Sequence, residues 1–112
     1  MKKVEVFIKS EACATVLDRI DQINHGSIGY YDTWYRKIGT EQTRKHSSET
    51  NSHGFTLKVK LELIIEDNLV EEVINAICKA GSTGSSCDGK IFVYPVETAI
   101  KIQDHTKDDF NL

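Results

Sequence analysis

Residues 56–66, "TLKVKLELIIE", place Leu57, Val59, Leu61, Leu63 and Ile65 on every second position without a miss. Alternate side chains of an extended chain point to opposite faces, so this run predicts a strand with one apolar face and one mixed face. A sheet buried on one side needs helices to cover it. The next segment supplies one: Leu69, Val70, Val73, Ile74 and Ile77 make an apolar stripe at helical spacing. Asp67 is a suitable N-cap, Glu71 and Glu72 suit the positive end of the dipole, and Gly81 is the expected stop.

The first part of the chain has the same grammar. Val4, Val6 and Ile8 alternate within residues 2–9, which predicts a strand. Residues 12–25 carry Val16, Leu17, Ile20 and Ile23 near helical spacing, with Gly26 as the stop. Residues 28–35, "IGYYDTWY", read as an aromatic-rich strand. Near the other end, "IFVYPV" (91–96) reads as a strand with Pro95 marking its end or an edge. "ETAIKI" (97–102) reads as a short last strand before a polar tail, 103–112. The order βαββαβ predicts an α+β fold of the ferredoxin-like split βαβ kind, an antiparallel sheet with two helices on one face. At 112 residues one domain, 1–112, is expected. Cores of that size are often helped by oligomerisation.

Between the two halves the pattern stops. Residues 36–53 contain one aliphatic side chain, Ile38, and no periodicity. A loop this long in a small domain is functional or disordered. Arg36, Lys37, Arg44 and Lys45 outnumber Glu41 and Glu49, so the loop is locally basic in a chain of net charge −3. That net charge, and the lack of aromatic residues among the basic ones, argue against a nucleic-acid partner. No apolar run approaches the roughly 20 residues of a membrane span. The opening "MKKVEVFIKS" alternates instead of forming an apolar block, so it does not read as a signal peptide. Cys13, Cys78 and Cys87 are odd in number and form no C-x-x-C pair, which suits a reducing cytoplasm better than a disulfide framework. Cys78 is expected to be a small buried side chain on the second helix.

Residues 81–92, "GSTGSSCDGKIF", carry the one local pattern with chemical promise. They do not form a phosphate loop of the Walker kind, which runs strand, loop, helix and places Ser or Thr after its Lys. Here the order is helix, loop, strand, and Ile91 follows Lys90. Lying after a helix, the loop faces the negative end of the dipole. Two readings stay open: a nest of backbone N–H groups aided by Lys90 and Lys101, or a plain turn that uses glycine for its backbone freedom.

"TGSSCDGKIFVYPVETAIKI" (83–102) resembles the C-terminal signature of PII signal-transduction proteins. The opening "MKKVEVFIK", residues 58–77 and the place and length of the polar loop are similar as well. The resemblance implies a homotrimer that binds ADP, AMP or ATP in clefts between subunits, with Mg²⁺ as an admissible companion. It implies a mobile T-loop at 36–54 that docks on a partner such as a membrane transporter. The protein would then be cytoplasmic and recruited to the inner face of the membrane, without being embedded in it. Carried over residue by residue, the phosphates fall to Cys87, Asp88, Gly89, Lys90 and Lys101. The base and ribose fall to Phe7, Ser27, Ile28, Gly29, Glu62 and Ile64. The loop's docking residues are Arg36, Lys37, Arg44, Lys45 and His46.

This chain departs from the family at several positions. Gly29 replaces a threonine that bonds adenine, and Gln103 replaces a basic residue. Lys101 keeps only a point charge where the family has arginine, so ADP or AMP is expected to bind at least as well as ATP. Lys58 matches a 2-oxoglutarate-binding lysine, but Gly39 replaces the family glutamine, so no ordinary 2-oxoglutarate response is expected. Asn51 replaces the tyrosine modified in some relatives. An alternative is a metal-responsive, CutA-like protein using His46 and His53, although their spacing is not that of a compact zinc site. Cys87 beside Asp88 lacks a spaced histidine partner, so no enzyme is expected.

Overall fold

The computed structural model describes residues 1–23, 25–36 and 53–109. In chain order these form β1 (Lys2–Ile8), α1 (Cys13–Ile20), β2 (Ile28–Tyr35), β3 (Thr56–Ile65), α2 (Val70–Gly81) and β4 (Gly89–Pro95). One 3₁₀ turn, Ser10–Ala12, leads into α1, and another, Asp67–Leu69, leads into α2. The strands lie in the order β2-β3-β1-β4, with every neighbouring pair antiparallel. This is the predicted ferredoxin-like arrangement.

The alternation in β3 does what its spacing predicts. Val59, Leu61, Leu63 and Ile65 are buried against the helices, together with Val4, Val6 and Ile8 of β1. Val16 and Ile20 of α1 and Val73 and Ile77 of α2 close the same core. Among the described residues no polar or charged side chain is buried. The opposite face of the sheet holds Lys3, Glu5 and Phe7 of β1, Lys58, Lys60, Glu62 and Ile64 of β3, and Lys90, Phe92 and Tyr94 of β4, as the strand registers require. Lys3 bridges Glu5 and Glu62, each at 3.4 Å, which offsets the placing of these two carboxylates opposite each other across β1 and β3.

Four local expectations are corrected. Helix α1 ends at Ile20 and not near Gly26, because the Gln22 and Ile23 N–H groups bond to Arg19 and Ile20, three residues back. That tighter turn lets Ile23 pack on the core. Asp67 does not cap α2; it accepts from the Met1 amino group at 2.9 Å, while Leu69 occupies the cap position with no side-chain bond. Cys78 is exposed and Cys13 is the buried cysteine, its thiol pushed up by that burial. Residues 97–102 form no strand. Strand β1 begins at Lys2, opposite Pro95, so after one more bond, from the Val96 N–H to the Met1 carbonyl at 3.2 Å, the chain has run out of partner. It turns back on itself instead: Lys101 N–H bonds to Thr106, Asp108 N–H bonds to Ala99, and Ile100 pairs with Lys107 in an isolated bridge.

Candidate functional site

The segment 82–88, with Gly84 inside it and Gly81 and Gly89 at its borders, joins α2 to β4 and returns the chain to Ile8 at the end of β1. Asp88 holds it in shape. One carboxylate oxygen accepts the Thr83 backbone N–H at 2.7 Å, and the other accepts the Thr83 hydroxyl and meets the Lys9 ammonium at 3.4 Å. The Thr83 hydroxyl and amide, with Lys9 behind them, hold the Asp88 carboxyl down to about 2. Asp88 is therefore occupied within the loop. It lines an apolar groove of about 410 Å³ on the helix side of the sheet, among Ile74, Ile77, Ile91 and Val93.

On the other side of the sheet the same turn borders a cleft of about 210 Å³. Phe7, Lys58, Cys87, Gly89 and Lys90, all named from the sequence, meet there. Tyr35, Ser86 and Phe92 join them, and sequence reasoning missed all three. The signal for Phe92 was its parity: it lies two residues from Lys90 and so shares its face. Phe7 makes edge contacts with Tyr35 at 4.9 Å and with Phe92 at 5.8 Å between ring centres, so the cleft has an aromatic wall. Burial, with the Glu5 charge behind it, pushes the Tyr35 phenol up and keeps it a donor.

Two cations border this cleft. Lys58 donates to the Cys87 carbonyl at 3.3 Å, and Lys90 stands opposite Phe7 on the edge strand. The Cys87 N–H bonds to the Ser85 hydroxyl at 3.1 Å, a partner that a rotation of the serine side chain would release. Cationic side chains, a turn with exchangeable N–H groups and an aromatic wall can take an anion attached to a flat apolar body.

The remaining predicted contacts lie elsewhere on the chain. Gly29, Glu62 and Ile64 share the outer face at the β2–β3 side, with Gly29 opposite Glu62. Ser27 leads into that end. The side chain of Ile28 packs on the core, on the other face from Gly29. Edge strands β4 and β2 are three strand spacings apart, about 14 Å, and Gly29 is level with Phe92, two residues along β4 from Lys90. Lys101 is not part of the cleft lining; its ammonium faces Asp109 at 3.8 Å. Arg36 donates to the His53 carbonyl at 3.4 Å and lies over the Phe55 ring, tying the two ends of the long loop together. Lys37, Arg44, Lys45 and His46 lie outside the described residues. Among the described residues no cluster of three or more His, Cys, Asp or Glu could hold a metal ion. Nor is any described helix long and apolar enough to cross a membrane.

A split βαβ sheet with helices on one face, and a lysine-flanked turn bordering a cleft on the other, define an α+β protein of the ferredoxin-like kind. The chain belongs to the P-II family: the family described as Nitrogen regulatory protein P-II matches residues 1–106. It is similar to Nitrogen regulatory protein P-II of Rhodospirillum rubrum, 40% identical over 105 residues that cover 92% of each chain. The proteins of the same description from Haemophilus influenzae and Microchaete diplosiphon are 38% and 35% identical over the same share of each chain. P-II proteins are trimeric signal-transduction regulators of partner proteins, not enzymes.

Proposed function

We infer that the chain senses adenine nucleotides in clefts shared between copies and reports their state to a partner protein, a membrane transporter, through residues 36–54. The observation that carries this reading is the division of the predicted contacts between opposite edges of the sheet. Cys87 to Lys90, at the phosphate end, lie at the β4 edge and Gly29, at the base end, lies on the β2 edge, while Phe7, Lys58 and Glu62 come from the two central strands between them. Copies meeting side by side in a trimer bring the β4 side of one against the β2 side of the next, and each cleft is then complete. Lys101, drawn away from Asp109, adds a further cation to the phosphates. Their oxygens take the place of the Ser85 hydroxyl on the Cys87 N–H.

Binding transmits a signal only if the nucleotide favours one arrangement of the loop over another. Arg36 and His53, at the neck of the loop, stand where such a bias enters it. The protein works in the cytoplasm and meets its partner at the inner face of the membrane. Titration calorimetry with ADP and ATP, combined with deletion of residues 38–52, tests this reading. The expected result is nucleotide binding in both proteins and capture of the partner by the full chain alone. A chain that binds neither nucleotide, or a deletion variant that still captures the partner, overturns it.

A further inference from the structure

Gly29 lies in extended backbone, where any residue fits, so its φ does not explain the glycine. The space above it does. A Cβ at this position would stand 3.1 Å from Cε2 of Tyr31, 3.3 Å from its hydroxyl and 3.5 Å from Cζ. The Tyr31 ring therefore lies back along β2 over residue 29, although side chains on a strand ordinarily stand away from the sheet. Lys60, opposite Tyr31 on β3, places its ammonium over the ring, 4.5 Å from the ring centre. Lys60 also meets Glu62 at 3.7 Å, and Glu62 is the cross-strand partner of Gly29. One face thus presents a flat ring, a hydroxyl over a glycine and an acceptor-only carboxylate.

We propose that Tyr31 reads the base, its hydroxyl taking the amine-bearing edge of an adenine ring at the β2 side of the cleft. The inference rests on the adenine-nucleotide reading above. A phenol hydroxyl both accepts and donates, so it serves an exocyclic amine and the neighbouring ring nitrogen alike. The Glu62 carboxylate only accepts: Lys3 and Lys60 meet one of its oxygens, at 3.4 and 3.7 Å, and the other suits the same amine better than a carbonyl oxygen in its place. The glycine at 29 clears the room that the ring needs.

Calorimetry on the full chain with ADP and inosine diphosphate, whose base carries a carbonyl in place of the amine, tests the assignment. Tyr31→Phe keeps the ring and loses the hydroxyl. It is expected to melt like the unsubstituted protein, to bind ADP about five- to tenfold more weakly and to bind inosine diphosphate within about twofold of the original. Gly29→Ala, which pushes the ring away, is expected to weaken ADP in the same direction. In a Tyr31→Ala background, Gly29→Thr places a hydroxyl in the vacated space and is expected to recover ADP binding, while Gly29→Val is not. Unchanged ADP binding by Tyr31→Phe, an equal loss for both nucleotides, or equal recovery by threonine and valine overturns the assignment. Failure of the unsubstituted chain to bind any adenine nucleotide is a different result, and overturns the nucleotide reading itself.

Discussion

Gly89 and Phe7 meet backbone to backbone: a Cβ on Gly89 would lie 1.9 Å from the Phe7 carbonyl oxygen. The residue also has φ +126, a conformation that side chains strongly disfavour. Gly89→Ala is therefore expected to cost about 3 kcal/mol or more, through strain and displacement of β4 from β1. Urea denaturation measures this, and a loss below about 1 kcal/mol would show that the turn adapts freely.

Asp88 gives the fold a defined acid sensitivity. Its carboxyl is held at about 2 in the folded chain, against about 3.9 for an unperturbed aspartate. The stability it contributes is fully present above pH 4 and is lost as the pH falls through about 2. The difference in melting temperature between the unsubstituted protein and Asp88→Asn should be full at pH 6 and shrink between pH 4 and pH 2. A difference that stays constant down to pH 2 would assign the effect to packing and not to the charge.

Lys90→Ala and Lys58→Ala should each weaken ADP binding by about 1–3 kcal/mol through loss of a charge-assisted contact. Calorimetry at two ionic strengths separates this from a packing effect, because a lost charge also flattens the salt dependence. Variants that bind as tightly as the parent would remove these lysines from the phosphate end.

ADP should bind at least as tightly as ATP in the absence of metal. Gln103 brings no charge to a third phosphate, and Lys101 lacks the planar fork of arginine. ATP binding tenfold tighter than ADP under those conditions would contradict this.

Leu61 is fully buried at the centre of the sheet. Its truncation to alanine should cost about 2–5 kcal/mol in chemical denaturation, the range for a cavity in a packed core. A smaller loss would indicate that the helices collapse onto the gap.

The fold was legible wherever alternation or helical spacing ran long enough to commit a face. Val4, Val6 and Ile8, and the five alternating residues of β3, announced both central strands. Residues 97–102 misled because their apolar spacing is real while their partner is missing: Ile100 and Ile102 are 58% and 92% exposed. Spacing records what a side chain is suited to, not which backbone is free to pair with it. Phe7, Lys58, Cys87, Gly89 and Lys90, singled out through family resemblance for different contacts, line one cleft, although 80 residues of chain separate the first from the third. Tyr35 was hidden because its place on the wall depends on the register of β2 with β3, which sets it opposite Thr56. Asp88 was read as part of the ligand site, but its direction depends on Thr83 and Lys9, which no local pattern ties to it.

Strand β1 serves two masters along its length. Val6 and Ile8 are sealed in the core, and between them Phe7 forms the aromatic wall of the cleft. A ligand resting on Phe7 thus leans on the same backbone that anchors the hydrophobic interior. Occupancy is consequently readable as heat resistance: a ligand bound only by the folded chain raises its melting point by mass action. A dye-based melting scan across candidate metabolites then becomes a practical first survey of what this protein answers to.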